Sequence, residues 1–259
     1  MISKNKTKQI RSLQLKKNRD AEHLFVAEGP KVVADLLDAG PARCIVATKE
    51  WLSQHNRNLF TEYIEATEEE LRKVSFLQHP QQVLAVFDQR SPAPQAGTPL
   101  PGPDDGELML AVDGVQDPGN LGTIIRIADW FGIGRIVCSP DTVDVYNPKV
   151  VQATMGSIAR VAVFYADLPR WLDHLPEGTP VYGTLLDGGN LYEQPLTTGG
   201  IIVMGNEGKG LSPEVRARVS HRLRIPNYPE GHKTADSLNV AVATAIVCAE
   251  FRRNGNKHL

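Results

Sequence analysis

At 259 residues the chain is long enough for one large domain or two ordinary ones with real cores. Its 41% hydrophobic and 22% charged residues are those of a soluble globular protein, and a net charge of −2 neither selects nor excludes a polyanionic partner, so local charge has to be read instead. No apolar stretch reaches the ~18 residues that span a bilayer, and the basic, polar N-terminus lacks the apolar core of a secretory signal, so no membrane association is expected and the expected compartment is the cytoplasm.

The leading segment carries Lys4, Lys6, Lys8, Arg11, Lys16, Lys17 and Arg19 against one acid, Asp20. A basic helix over residues 3–18 suits a polyanion, and equally a solvated helix face. Elements then alternate: a strand over 23–29, a helix over 30–39, a strand over 43–48, a short helix near 50–55, an acidic helix over 67–74 and a strand over 82–88. Residues 1–88 thus form a small α/β domain. The stretch "QRSPAPQAGTPLPGPDDGE", residues 89–107, is dense in Pro and Gly and reads as a semi-rigid linker.

Beyond it, in 108–259, the alternation is cleaner. Strands are expected over 108–113, 135–139, 160–166, 180–186, 200–205 and 221–226. Helices are expected over 120–132, 147–157 and 167–175, after Ser212-Pro213, and from Asp236 or Ser237 to about Arg252. The strands are continuous apolar runs, which indicates a mostly parallel sheet with helices on both faces. Cys44, Cys138 and Cys248 lie far apart in apolar runs, with neither a CxxC pair nor metal-ligand spacing, so reduced core thiols and no metal site are expected.

Three stretches carry chemistry. In "DGVQDPGNLGTIIR" (113–126) Asn120 is placed to cap a helix whose free N–H groups also attract anions. Arg126 follows among Ile124, Ile125, Ile127 and Ala128, where a cation needs a partner or a cleft. "IIVMGNEGKGLS" (201–212) runs a strand into a glycine-rich turn, either purely structural or wrapped around a ligand. It is not a Walker A loop, because Lys209 is followed by Gly210 and not by Ser or Thr, and its glycine spacing is not the dinucleotide fingerprint. That removes a nucleotide-phosphate-binding enzyme from consideration. In "LRIPNYPEGHKTADSLNVAVATAIVCAEF" (223–251) a strand ends, a polar loop follows, and Asp236 or Ser237 opens an alanine-rich helix that must be buried in the core or against a second subunit.

Together "NLGTIIR" (120–126), "GNEGKG" (205–210) and "SLNV" (237–240) resemble, in order and spacing, the motifs of the SpoU (TrmH-like) family of SPOUT-class RNA 2′-O-ribose methyltransferases. The resemblance covers 108–252, and "FVAEGPKVVADLL" (25–37) is similar to the family's small N-terminal substrate-binding domain of ribosomal-protein type. It implies a C-terminal domain tied in a trefoil knot, an exception to the usual topological rules, that binds S-adenosylmethionine without a metal. Carried over position by position, it assigns the cofactor to Thr184, Leu185, Gly205, Gly208, Ile225 and Leu238. It assigns catalysis to Arg126, with Asn120, Glu207, Ser237 and Asn239 positioning substrate and cofactor. The reaction implied is in-line methyl transfer to a ribose 2′-hydroxyl, with Arg126 either activating that hydroxyl or clamping the target phosphate and 2′-oxygen. The clamp is physically easier, because a guanidinium stays protonated. Implied partners are structured RNA, ribosomal before transfer RNA, and a second copy of the chain as a homodimer. The reading from another class is a non-catalytic RNA-binding protein that keeps the fold. The loop "NYPEGHKTAD" (227–236) is longer than the family's; its Tyr228, His232 and Lys233 either contact RNA or belong to an ordinary surface insertion.

Overall fold

The computed structural model describes residues 2–90, 100–229, 232 and 234–255. In chain order the first elements are α1 (Lys4–Ser12), α2 (Lys16–Glu22), β1 (Leu24–Glu28), α3 (Pro30–Ala39), β2 (Ala42–Ala47), α4 (Lys49–Gln54), β3 (Phe60–Glu65), α5 (Glu68–Val74) and β4 (Val83–Asp88). After residue 99 come β5 (Leu108–Val112), α6 (Pro118–Trp130), β6 (Arg135–Cys138), α7 (Pro148–Ala153), β7 (Ala162–Tyr165) and α8 (Leu168–Asp173). The last are β8 (Val181–Asn190), β9 (Gly200–Met204), α9 (Pro213–Arg216), β10 (His221–Arg224) and α10 (Val240–Gly255). These elements form two compact units, Met1–Arg90 with Asp144–Arg160, and Ser91–Val143 with Val161–Leu259, each taken over its described residues.

The first unit holds a four-stranded sheet in the order β1-β4-β2-β3. β4 is antiparallel to both β1 and β2, and β2 is parallel to β3. The single basic helix expected over 3–18 is two helices, α1 and α2. The chain turns at Leu13–Leu15, and Arg19 folds back under the turn, donating from Nη1 to the carbonyls of Leu13 and Gln14 at 2.8 Å each. The rest of its guanidinium meets Asp144 at 2.5 Å, and the side chain is 2% exposed. Arg19 is therefore a buried ion-paired strut of the fold, which withdraws it from the basic surface expected of the leader. β3 was not expected. Four of its six residues are exposed, so it has no apolar alternation to read.

The second unit holds a six-stranded sheet in the order β10-β8-β9-β5-β6-β7, every neighbouring pair parallel. Its central strands β5 and β9 are buried at every position, as strands covered on both faces must be. Met109, Ala111, Val181 and Val203 pack on one side against Leu168, Trp171 and Leu172 of α8 and Val215 of α9. Strand residues alternate in direction, so Tyr182 points the other way, and there it meets Phe251 of α10 edge-on with centroids 4.8 Å apart. α10 packs alongside α6. Near its C-terminal end Arg252 donates to the carbonyls of Phe131 and Gly132, at 2.7 and 3.1 Å, closing the C-terminus of α6.

All three cysteines are free and buried. Burial pushes the Cys44 thiol up to about 11 and the Cys248 thiol up to about 12, and raises Cys138 further, so these sulfurs stay protonated in the core. Among the described residues no group of three or more His, Cys, Asp and Glu side chains is gathered to hold a metal, and no helix is long and apolar enough to cross a membrane.

Candidate active site

In the second unit β5, β6 and β7 step outward in one direction, after which the chain crosses to the other side of β5 and lays down β8, β9 and β10. The strand order reverses at the β5/β9 boundary, and in open parallel sheets ligands bind beyond the carboxyl ends of the strands at such a switch point. The loops leaving these two strands are bound to each other. The Asp113 carboxylate accepts from Ser212 N at 2.7 Å, and Asn206 Nδ2 donates to Gly114 O at 2.7 Å. Asn206 Oδ1 also accepts from the amides of Gly208 and Lys209 at 2.9 and 3.0 Å, while the Asn206 and Gly210 backbones bond reciprocally. "GNEGKG" is thus a closed, self-supported ring of backbone. A Cβ on Gly205 would stand 2.5 Å from the carbonyl carbon of Gly210, so the ring closes only with glycine there.

Beside this ring lies a cavity of about 680 Å³. Its walls come from four places: the end of β9 and the ring, the middle of β8, the end of β10, and the approach to α10. β10 pairs with Tyr182 and Gly183 of β8 and then with Gly189 and Asn190. Residues 184–188 fall between these paired stretches, and Thr184 to Asp187 line the cavity. Thr184, Leu185, Gly205, Gly208, Ile225 and Leu238, the residues assigned to a cofactor from the sequence, all line this one cavity, as do Glu207 and Ser237. Leu186 and Leu238, 76% and 49% exposed, leave aliphatic surface uncovered at its mouth.

Two helix starts differ from expectation. Asp117, not Asn120, caps α6, accepting from Asn120 N at 2.8 Å, because Pro118 occupies the first helical position. α10 begins at Val240 and not at Asp236 or Ser237, with Asn239 Oδ1 accepting from the amides of Ala241 and Val242 at 3.0 and 3.2 Å. Asn120, relieved of capping, donates from Nδ2 to Glu207 Oε1 at 2.5 Å and accepts from Asn239 Nδ2 at 2.9 Å. One polar residue from each of the three motifs therefore joins a single chain, Asn239 to Asn120 to Glu207. Arg126 stands apart. It is exposed on α6, does not line the cavity, and makes no hydrogen bond or ion pair among the described residues. Ile124, Ile125 and Ala128 are buried while Arg126 faces solvent, which is why a cation is tolerated there. Tyr228 and His232 are exposed, and Lys233 lies outside the described residues.

Residues 107–249 match the SpoU rRNA methylase family. The chain belongs to that family. Residues 4–85 match the MRM3-like substrate binding domain. The SpoU chain is 32% identical over 250 residues to the 23S rRNA (guanosine(2553)-2′-O)-methyltransferase RlmP of Bacillus subtilis, covering 95% of this chain and 96% of that one. It superposes with a TM-score of 0.84 and 41% identity on a putative RNA methyltransferase of the TrmH family from Porphyromonas gingivalis, over 98% of this chain and 99% of that one. An AdoMet-bound rRNA methyltransferase from Sinorhizobium meliloti gives 0.83 and 33%, over 98% and 97%. Within the SpoU domain, sequence reasoning missed Asp113 and Asn206, which build the loop, and Asp187 with Arg216 on the cavity wall, paired at 2.6 Å. The residue types gave a signal for Asn206 alone, since Asn two residues before Gly is a common Asx turn.

Proposed function

We propose that this chain transfers a methyl group from S-adenosylmethionine to a ribose 2′-hydroxyl of ribosomal RNA. The observation that carries the reading is the hydrogen-bonded chain Asn239–Asn120–Glu207 beside the 680 Å³ cavity. Glu207 lines the cavity and Asn120 and Asn239 are tied to it by hydrogen bonds, and three distant motifs have no structural need to converge beside one ligand-sized pocket. The cavity suits the cofactor chemically: Leu185, Leu223, Ile225 and Val240 offer apolar faces for a flat base, and the ring at 205–210 offers backbone groups at its edge. When bound, S-adenosylmethionine supplies an activated methyl on a positive sulfur, so the protein's task is alignment and proton removal.

In this reading Thr184, Leu185, Gly205, Gly208, Ile225 and Leu238 hold the cofactor. Glu207, turned toward α6 by Asn120, holds the substrate side with Ser237. Arg126 keeps its proton and clamps the RNA phosphate and 2′-oxygen; its exposure, and its lack of a hydrogen-bond or ion-pair partner among the described residues, support that role. Residues 1–88 grip the RNA, with Lys4, Lys8 and Lys17 exposed on the leading helices. The protein works in the cytoplasm as a homodimer through the outer faces of α6 and α10, where Trp130 is 84% and Val242 50% exposed. The segment ending in α10 forms the threaded end of a trefoil knot. Mapping 2′-O-methylation in ribosomal RNA from cells with and without this protein tests the reading. One site should vanish with the protein, and an unchanged map refutes it.

A further inference from the structure

A second cavity, of about 310 Å³, lies within the first unit, far in sequence from the motifs above. Its floor is the end of β1, where Glu28 is 5% exposed yet lines the cavity. One Glu28 oxygen accepts from the Ser75 hydroxyl and the other from Phe76 N at 2.8 Å. A carboxylate has about four acceptor positions, so two remain for a ligand. Burial raises its pKa, against the opposing pull of these two hydrogen bonds and the Arg11 charge. Phe76 lines the wall, with the Arg11 guanidinium over its ring at 5.9 Å. Lys149, exposed, and Gln152 line it from α7.

Met155 completes the cavity from a left-handed backbone, φ 51°, a strained conformation for a residue with a Cβ. The next residue, Gly156, has φ 99°, and a Cβ there would overlap the Asp35 carboxylate, so the turn is fixed against α3. The turn thus places a flexible, polarizable side chain, 38% exposed, at the lip of a pocket floored by a carboxylate.

We propose that this cavity binds one unpaired guanine of the substrate RNA. Guanine alone among the bases presents two adjacent donors, N1–H and the N2 amine, on its Watson–Crick edge, which a carboxylate accepts together. Adenine presents an acceptor where guanine has N1–H, and that atom would face the Glu28 oxygens. Phe76 and Met155 provide the apolar contact that an unstacked base needs, and Lys149 a cation for O6 or a flanking phosphate. The site reads RNA at a position other than the methylated ribose; it rests on the chain acting on RNA.

The test uses the full-length protein with its methionine methyls labelled with carbon-13 and the RNA pentamers UUGUU and UUAUU. Met155 reports this cavity, and Met204, which lines the larger cavity, reports the other. UUGUU should shift the Met155 methyl saturably, at least tenfold more tightly than UUAUU, and Glu28→Gln should erase the preference. Should Glu28→Gln fold poorly, Lys149→Ala, an exposed change, should weaken UUGUU binding while the spectrum stays native. An unmoved Met155, or equal response to both pentamers, overturns the proposal. Added S-adenosylmethionine should move Met204 whichever way that result falls, and its failure to do so counts against the methyltransferase reading instead.

Discussion

Asn239 serves two ends of the site at once, and replacing it separates them. Asn239→Ala removes the acceptor for the amides of Ala241 and Val242 and the donor to Asn120 Oδ1. Loss of an N-cap costs about 1 kcal/mol, and loss of a partly exposed hydrogen bond about another 1 kcal/mol. For a chain of this size ~2 kcal/mol lowers the melting temperature by about 4–8 °C. Asn239→Asp keeps the capping oxygen, adds a charge favoured at a helix N-terminus, and loses only the donor, so its melting temperature should fall by less than half as much. Both variants release Asn120 and hence Glu207, and methyl transfer should fall on the order of 10²-fold, as misplaced catalytic groups do. Thermal melts and single-turnover methyl transfer read the two effects. An aspartate variant melting as low as the alanine variant refutes the capping argument. Full activity in either one refutes the positioning role of the Asn239–Asn120–Glu207 chain.

Gly205→Ala should lower the melting temperature and abolish cofactor binding, because its Cβ would meet Gly210; Gly208→Ala should fold normally, its nearest neighbour being 3.7 Å away, and lose cofactor affinity alone. Melts paired with calorimetry distinguish them. Arg126→Ala should abolish methyl transfer while leaving the melting temperature and adenosylmethionine affinity unchanged, since the side chain is exposed and unpaired among the described residues; full activity would show that it is a surface residue only. Glu28 has a folded pKa raised by burial above its ordinary 4.5. The native state therefore holds its proton longer, and ionisation costs stability as pH rises from 4.5 through the raised value. Denaturation midpoints across that window should shift in favour of Glu28→Gln with rising pH, and a flat or opposite trend contradicts the assignment.

Long periodic elements and the three motifs were legible in the sequence because each signal is local. α3 runs over the predicted residues, and the buried strands of the six-stranded sheet announce themselves as apolar runs. What escaped depends on distant partners. The break between α1 and α2 follows from Arg19 meeting Asp144, 125 residues away. Asn120 looked like a cap because Asn caps helices; Asp117 and Pro118 took that place, and the reason lies 87 residues on, at Glu207. β3 is a polar edge strand with no pattern to find. The cavity-lining stretch of β8 is set by a jump in its register with β10, which pairing alone reveals.

The most direct test of the account is chemical. Purified protein is incubated with ribosomal RNA lacking the modification and S-adenosylmethionine labelled in its methyl group, and the RNA is hydrolysed with alkali. Alkaline cleavage needs a free 2′-hydroxyl, so ribose methylation leaves an uncut dinucleotide. The account predicts that the label is recovered in a single alkali-resistant dinucleotide, and that the Asn120→Ala protein yields none. Label in a mononucleotide, which marks a methylated base, would contradict it.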